Sequence, residues 1–110
     1  MVYDQTYNNG VLEISKVRKN GKRKLMFSAE CDSLEEMGKY NTDDTWWVKK
    51  SQDYKTWISF VGDELGVNKN IWVAFFNVEG KRTRIIFKPS EEMIKAIKRQ
   101  YPSKVRYDEV

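Results

Sequence analysis

The sequence predicts a small α+β domain, an antiparallel sheet of two β-hairpins packed with a central helix and a C-terminal helix, in the order ββα, α, ββα. Three observations predict it. β-rich segments flank Asn20-Gly21 and Glu79-Gly80; aromatic and aliphatic residues recur at helical spacing between residues 47 and 65; and Ser90, Glu91 and Glu92 open an amphipathic run that stops at Pro102.

Residues 1–10 read as an irregular lead-in ending in an Asn8-Asn9-Gly10 turn. Residues 11–18 then alternate Leu12 and Ile14 with Glu13 and Ser15, the period of a half-buried strand. Asn20-Gly21 is the preferred pair for a two-residue type I′ turn, because both residues tolerate positive φ. The return strand places Leu25, Phe27 and Ala29 on one face. Beyond it, Asp32 or Ser33 can cap a short helix that Gly38 frays.

In the middle of the chain, apolar residues at 47, 54, 57, 58, 61 and 65, with Gly66 in the C-terminal position, predict a helix over residues 52–65. That pattern assigns Trp47, Tyr54 and Trp57 to the core. Whether the helix begins earlier, at Asp43, or whether residues 45–49 form a separate strand stays open. The run 71–78 is apolar on both faces, with Ile71, Val73 and Phe75 opposite Trp72, Ala74, Phe76 and Val78. It predicts a central strand covered on both sides, or one whose second face meets a partner. A final helix, capped by Ser90 and acidic in its first turn, buries Met93, Ile94 and Ile97. The two hairpin-plus-helix segments echo each other in "GKRKLMF" and "GKRTRIIF", each followed by "SLEEM" or "SEEM". A true repeat would put two basic turns at one edge.

The length of 110 residues suits one domain, expected over residues 11–101 with a tail at 102–110. The longest apolar run, 71–76, is far below the roughly 20 residues of a spanning helix, so no membrane partner is expected. The opening residues lack a basic n-region and an apolar h-region, and the single Cys31 cannot form an internal disulfide. A cytoplasmic protein is the expectation. The compact, Lys/Asn/Tyr-rich composition also suits a phage or mobile-element product.

Catalytic chemistry finds little support. The chain has no histidine, which removes the commonest general base and metal ligand. Cys31 lies between Glu30 and Asp32, whose field disfavours a thiolate. Gly62, Gly66 and Gly80 fit no phosphate-binding loop. Asp63 with Glu79 and Lys81 resembles a metal-nuclease arrangement only superficially, since Glu79 and Lys81 straddle a turn glycine; Asp43 and Asp44 read as capping residues. The expectation is a non-enzyme with no metal and no cofactor.

The charge pattern is more informative. Net charge is +4, yet residues 16–24 carry +6, residues 81–106 carry +7 (nine Lys/Arg, two Glu), and residues 25–80 carry −5 (five Lys/Arg, ten Asp/Glu). Such segregation predicts a bipolar surface whose positive side attracts polyanions. The expected nucleic-acid-binding residues are Lys16, Arg18, Lys19, Lys22, Arg23 and Lys24 on the first hairpin, Lys81, Arg82 and Arg84 on the second, and Lys95, Lys98 and Arg99 on the last helix. Trp46 with Lys49 and Lys50 is the candidate for base stacking. The plainer reading of the lysines is protection of an exposed hairpin edge. The rival function is an inhibitor or adaptor docking on an acidic protein through the same lysines or through the apolar strand. The acidic middle segment also permits a homodimer.

Overall fold

The computed structural model describes residues 2–40, 46–61 and 70–106, and the fold is α+β as expected. Strands β1 (Val2–Asn8), β2 (Val11–Val17) and β3 (Arg23–Glu30) form an antiparallel three-stranded sheet in that order. A 3₁₀ turn (Cys31–Ser33) leads into β4 (Leu34–Lys39), followed by helix α1 (Trp46–Ser51) and strand β5 (Thr56–Ser59). Strands β6 (Trp72–Val78) and β7 (Lys81–Phe87) complete a four-stranded sheet of order β4-β6-β7-β5, and helix α2 (Glu91–Gln100) follows. No helix among the described residues is long and apolar enough to cross a membrane.

The main core lies between the two sheets. Leu12, Ile14 and Ala29 of the first sheet meet Leu34, Met37, Trp72, Ala74, Phe76, Ile85 and Phe87 of the second. Met93, Ile94 and Ile97 of α2 close the same cluster, so the stripe expected on that helix is its buried face. The Ser90 hydroxyl accepts from the Met93 N–H, the expected N-cap. On the far side of β6, Ile71, Val73 and Phe75 join Tyr54, Val61 and Ile86 in a second cluster, packed by Tyr40, Trp46 and Trp47. The doubly apolar strand is therefore central, and its second face is covered by the protein's own α1 segment.

Four expectations are corrected. Residues 2–8 are a strand, because Tyr3 and Tyr7 alternate inward against the core. Residues 34–39 are a strand where a capped helix was expected. A bulge between Leu34 and Glu36 lets Leu34 and Met37 both face the core at three-residue spacing, which imitates a helical period. Over the described part of 52–65, the expected helix gives way to a turn and β5, whose register with β7 pairs Trp57 with Arg84 and Ile58 with Ile85. The helix lies earlier, at α1, where the Ser51 hydroxyl bonds back to the Trp47 carbonyl at its end. Residues 62–65, Gly66, Asp43, Asp44 and Asp63 lie outside the described residues. The expected tail is also partly structural, since Val105 is buried and bridges Met37 in parallel.

Turn chemistry differs in detail. The loop from β2 to β3 closes with Arg18 N–H to the Lys22 carbonyl and Gly21 N–H to the Arg18 carbonyl, both at 2.9 Å. Only Gly21 has positive φ there, at 81°, so this is the three-residue loop with a left-handed glycine. The type I′ pattern expected at Asn20-Gly21 occurs instead at Asn9-Gly10 (53°, 78°) and Glu79-Gly80 (52°, 87°).

Candidate anion-recognition surface

The β2–β3 hairpin assembles its cations at one end of the first sheet. Pairing of Lys16 with Lys24, and of Val17 with Arg23, puts the first pair on one face and the second on the other. Asn20 Oδ1 accepts from the Lys22 N–H at 3.1 Å and helps fix the tip. Arg23 is engaged with Asp4 at 2.5 Å, an exposed pair of little energetic weight. Lys16, Arg18, Lys19, Lys22 and Lys24 have no carboxylate partner among the described residues. Next to them on β3, Leu25 is 54% and Met26 42% exposed, a feature the strand pattern did not foretell because Met26 falls in a bulge.

The other expected cations do not join this patch. Gln100 and Tyr101 flank Gly10, and the Tyr7 hydroxyl bonds Gln100, so the end of α2 sits at the β1–β2 turn. A groove lined by Val11, Ser28, Glu30, Asp32 and Glu79 brings the β6–β7 turn, and with it Lys81 and Arg82, to that same end. Strand β2 separates this end from the hairpin tip by about 20 Å, at ~3.3 Å per residue. The two basic turns therefore occupy opposite ends and do not share an edge.

Several of these cations also have internal roles. Lys98 donates to the Pro102 and Val105 carbonyls, each at 2.8 Å, and ties the C-terminal segment to α2. Lys95 pairs with Glu91 at 3.5 Å, whereas Arg99 is exposed. Arg82 lies over the Tyr54 ring and Arg84 over the Trp57 ring, at 5.7 and 4.2 Å. Burial holds the Arg84 pKa below the usual guanidinium value.

The expected stacking group is similarly engaged. Trp46 rests on Gly38 and meets Phe75 edge-on at 5.8 Å, and the Arg106 guanidinium covers it at 4.4 Å. Arg106 also donates to Glu36, and Lys50 pairs with Glu36 at 3.4 Å, which leaves Lys49 exposed on the helix surface. Tyr54 is buried as expected and donates to Glu35; burial first, and then that bond, push its pKa up. Burial pushes the Cys31 thiol to about 11, so it stays protonated near neutrality and makes a poor nucleophile.

Trp57 departs from its expected place in the core and is 58% exposed. The register fixes this, because Trp57 lies on the outer face of β5 while Ile58 turns to the main core. Its Nε1 donates to the Tyr54 carbonyl at 2.6 Å and to the Ser51 carbonyl at 3.2 Å, which anchors the ring at the surface. Trp57→Ala is expected to destabilise the fold by only about 1 kcal/mol, not the roughly 3–5 kcal/mol of a core tryptophan, as thermal unfolding will register.

Residues 3–107 match the family described as Bacterial PH-like domain (DUF6106). No curated protein and no solved structure shows a significant match to the chain.

Proposed function

We propose that this chain, which belongs to the bacterial PH-like domain family, is a non-catalytic cytoplasmic recognition domain whose β2–β3 hairpin docks on an acidic protein. One observation carries this reading. The one hairpin carries Lys16, Arg18, Lys19, Lys22 and Lys24 at its tip and, next along β3, the exposed apolar side chains of Leu25 and Met26. A protein interface uses both kinds of group, apolar contact for burial and complementary charge for orientation and on-rate. A phosphate backbone engages mainly the charges.

Nucleic acid is the second reading, supported by the ribbon itself, since a two-stranded hairpin fits a duplex major groove. Base stacking finds less support, because Trp46 is held between Gly38, Phe75 and Arg106. The α2 and β7 cations lie toward the opposite end from the hairpin tip.

Fluorescence anisotropy with labelled poly-glutamate, duplex DNA, single-stranded DNA and RNA, each at about 50 and 200 mM salt, separates the two. The expected result is poly-glutamate binding that weakens about tenfold or more when Arg18, Lys19, Lys22 and Lys24 become Ala, with an unchanged melting point. Leu25→Ser should weaken it further. Preference for duplex DNA, with a steep salt dependence, would transfer the site to nucleic acid. Silence from all four probes would remove the hairpin from the binding surface.

A further inference from the structure

The four-stranded sheet ends differently on its two sides. At β4 the edge is covered by the C-terminal segment, where Met37 N–H donates to the Lys104 carbonyl at 2.8 Å and Arg106 N–H donates to the Met37 carbonyl at 2.7 Å. At β5 there is no such cover among the described residues. The Phe60 N–H donates to the Ile86 carbonyl at 2.8 Å, which directs the peptide groups of residues 58 and 60 toward β7. Backbone alternation then turns the N–H and C=O groups of Trp57 and Ser59 to the outer edge. Neither residue's backbone has another hydrogen-bond partner among the described residues.

Beside this edge stands the exposed Trp57 ring, its indole N–H satisfied by two carbonyls. The ring is thus already held in one orientation, and docking against it would lose little side-chain entropy. Tryptophan and arginine are the residues that most often anchor interfaces. Arg84 stacks under the ring, is held by the Ser51 hydroxyl at 3.3 Å, and has no carboxylate partner among the described residues. Lys55 and Arg82 are exposed on the same flank; of the nearby acids among the described residues, Glu35 accepts from Tyr54 and Asp53 is exposed. The charge left over is positive.

We infer that the outer edge of β5 is a docking site for an extended, acidic peptide segment of a partner protein, which adds as a strand to Trp57 and Ser59 and sets a carboxylate near Arg84. Main-chain hydrogen bonds supply the register and the Trp57–Arg84 pair supplies selectivity. A second copy of this chain is disfavoured at this edge, because it would bring Lys55, Arg82 and Arg84 against their own equivalents. The inference rests on the reading of the chain as a protein-recognition domain, though not on the hairpin as its surface.

A displayed library of random decapeptides, selected on the wild-type protein, provides the probe. Selected sequences should alternate acidic with β-branched or aromatic residues and should bind the wild type at least tenfold tighter than Trp57→Ala. On binding, amide exchange at Trp57 and Ser59 should slow by tenfold or more. Ser59→Pro removes an outward N–H that serves no internal bond, so it should abolish peptide binding in a protein that still unfolds cooperatively. The hairpin variant with Arg18, Lys19, Lys22 and Lys24 changed to Ala should retain it, which keeps this test independent of the hairpin. No enrichment, equal binding to Trp57→Ala, or protection at residues 18–24 in place of 57 and 59 would overturn the inference. So would concentration-dependent dimerisation that protects the same two amides, since the edge would then belong to a second copy.

Discussion

Phe75→Ala is expected to lower stability by about 3–5 kcal/mol, the range for removing a fully buried aromatic side chain. The side chain has no exposure and sits on the face of β6 that turns away from the main core. Around it lie the Tyr54 ring at 4.8 Å, the Trp46 ring at 5.8 Å and the Lys50 ammonium at 5.7 Å. These neighbours come from α1 and the turn after it, so Phe75 is the part of the sheet on which that segment rests. Removing the ring leaves a cavity whose walls are a tryptophan and a tyrosine, both large and both tethered elsewhere, and collapse into it is restricted. The melting temperature should fall by well over 10 °C, at roughly 4–8 °C per kcal/mol for a domain of this size. Phe75→Leu keeps most of the volume and should lose much less. Equal and small losses for both variants would show that the outer layer is not packed tightly enough to anchor α1.

The same layer explains how far the sequence could be read. Strand β6, helix α2 and the basic hairpin were legible because their signals are local: a doubly apolar run, a cap followed by an apolar stripe, and charges around a turn. Strand β4 was not, since Leu34 and Met37 stand three apart and only the bulge against β6 shows that this spacing belongs to a strand. Trp57 was misplaced for a related reason. The spacing of Tyr54, Trp57, Ile58 and Val61 is helical on paper, but a turn and a parallel pairing with β7 distribute those side chains over two faces. Pairing energy from a strand more than twenty residues away overrides local propensity here. For the candidate site, the sequence located the cations but could not say which of them hold the fold together. Arg106 meets Glu36 and Trp46, and Lys104 donates to the Asp32 carbonyl at 3.1 Å and lies over Tyr101 at 5.0 Å. Such partners are set by topology. The hairpin tip retained its cations because its nearest sequence neighbours are basic as well, and among the described residues only Arg23 reaches an acid, Asp4 on β1.

Gly38→Val is expected to destabilise by about 3 kcal/mol, toward the upper end of the overpacking range. The reason is space and not backbone conformation. A Cβ at position 38 would lie 2.6 Å from Cζ2 of Trp46 and 3.2 Å from Cβ of Arg106, and the first distance is too short for any side chain to tolerate. The flat face of β4 at Gly38 is therefore the seat of the Trp46 indole, which in turn carries Arg106 and meets Phe75. Displacing the indole unfastens the start of α1 and one side of the C-terminal segment together. A double-mutant cycle distinguishes this from a general intolerance of β4 to a side chain. In a Trp46→Ala background the same Gly38→Val change should lose most of its effect, because the atom it collides with is gone and only the Arg106 contact remains; coupling between adjacent groups of this kind runs from about 0.5 to 3 kcal/mol. Strict additivity of the two substitutions in chemical denaturation would refute the seat. The penalty would then have to come from β4 itself, and Trp46 would be free to move from its place against the sheet.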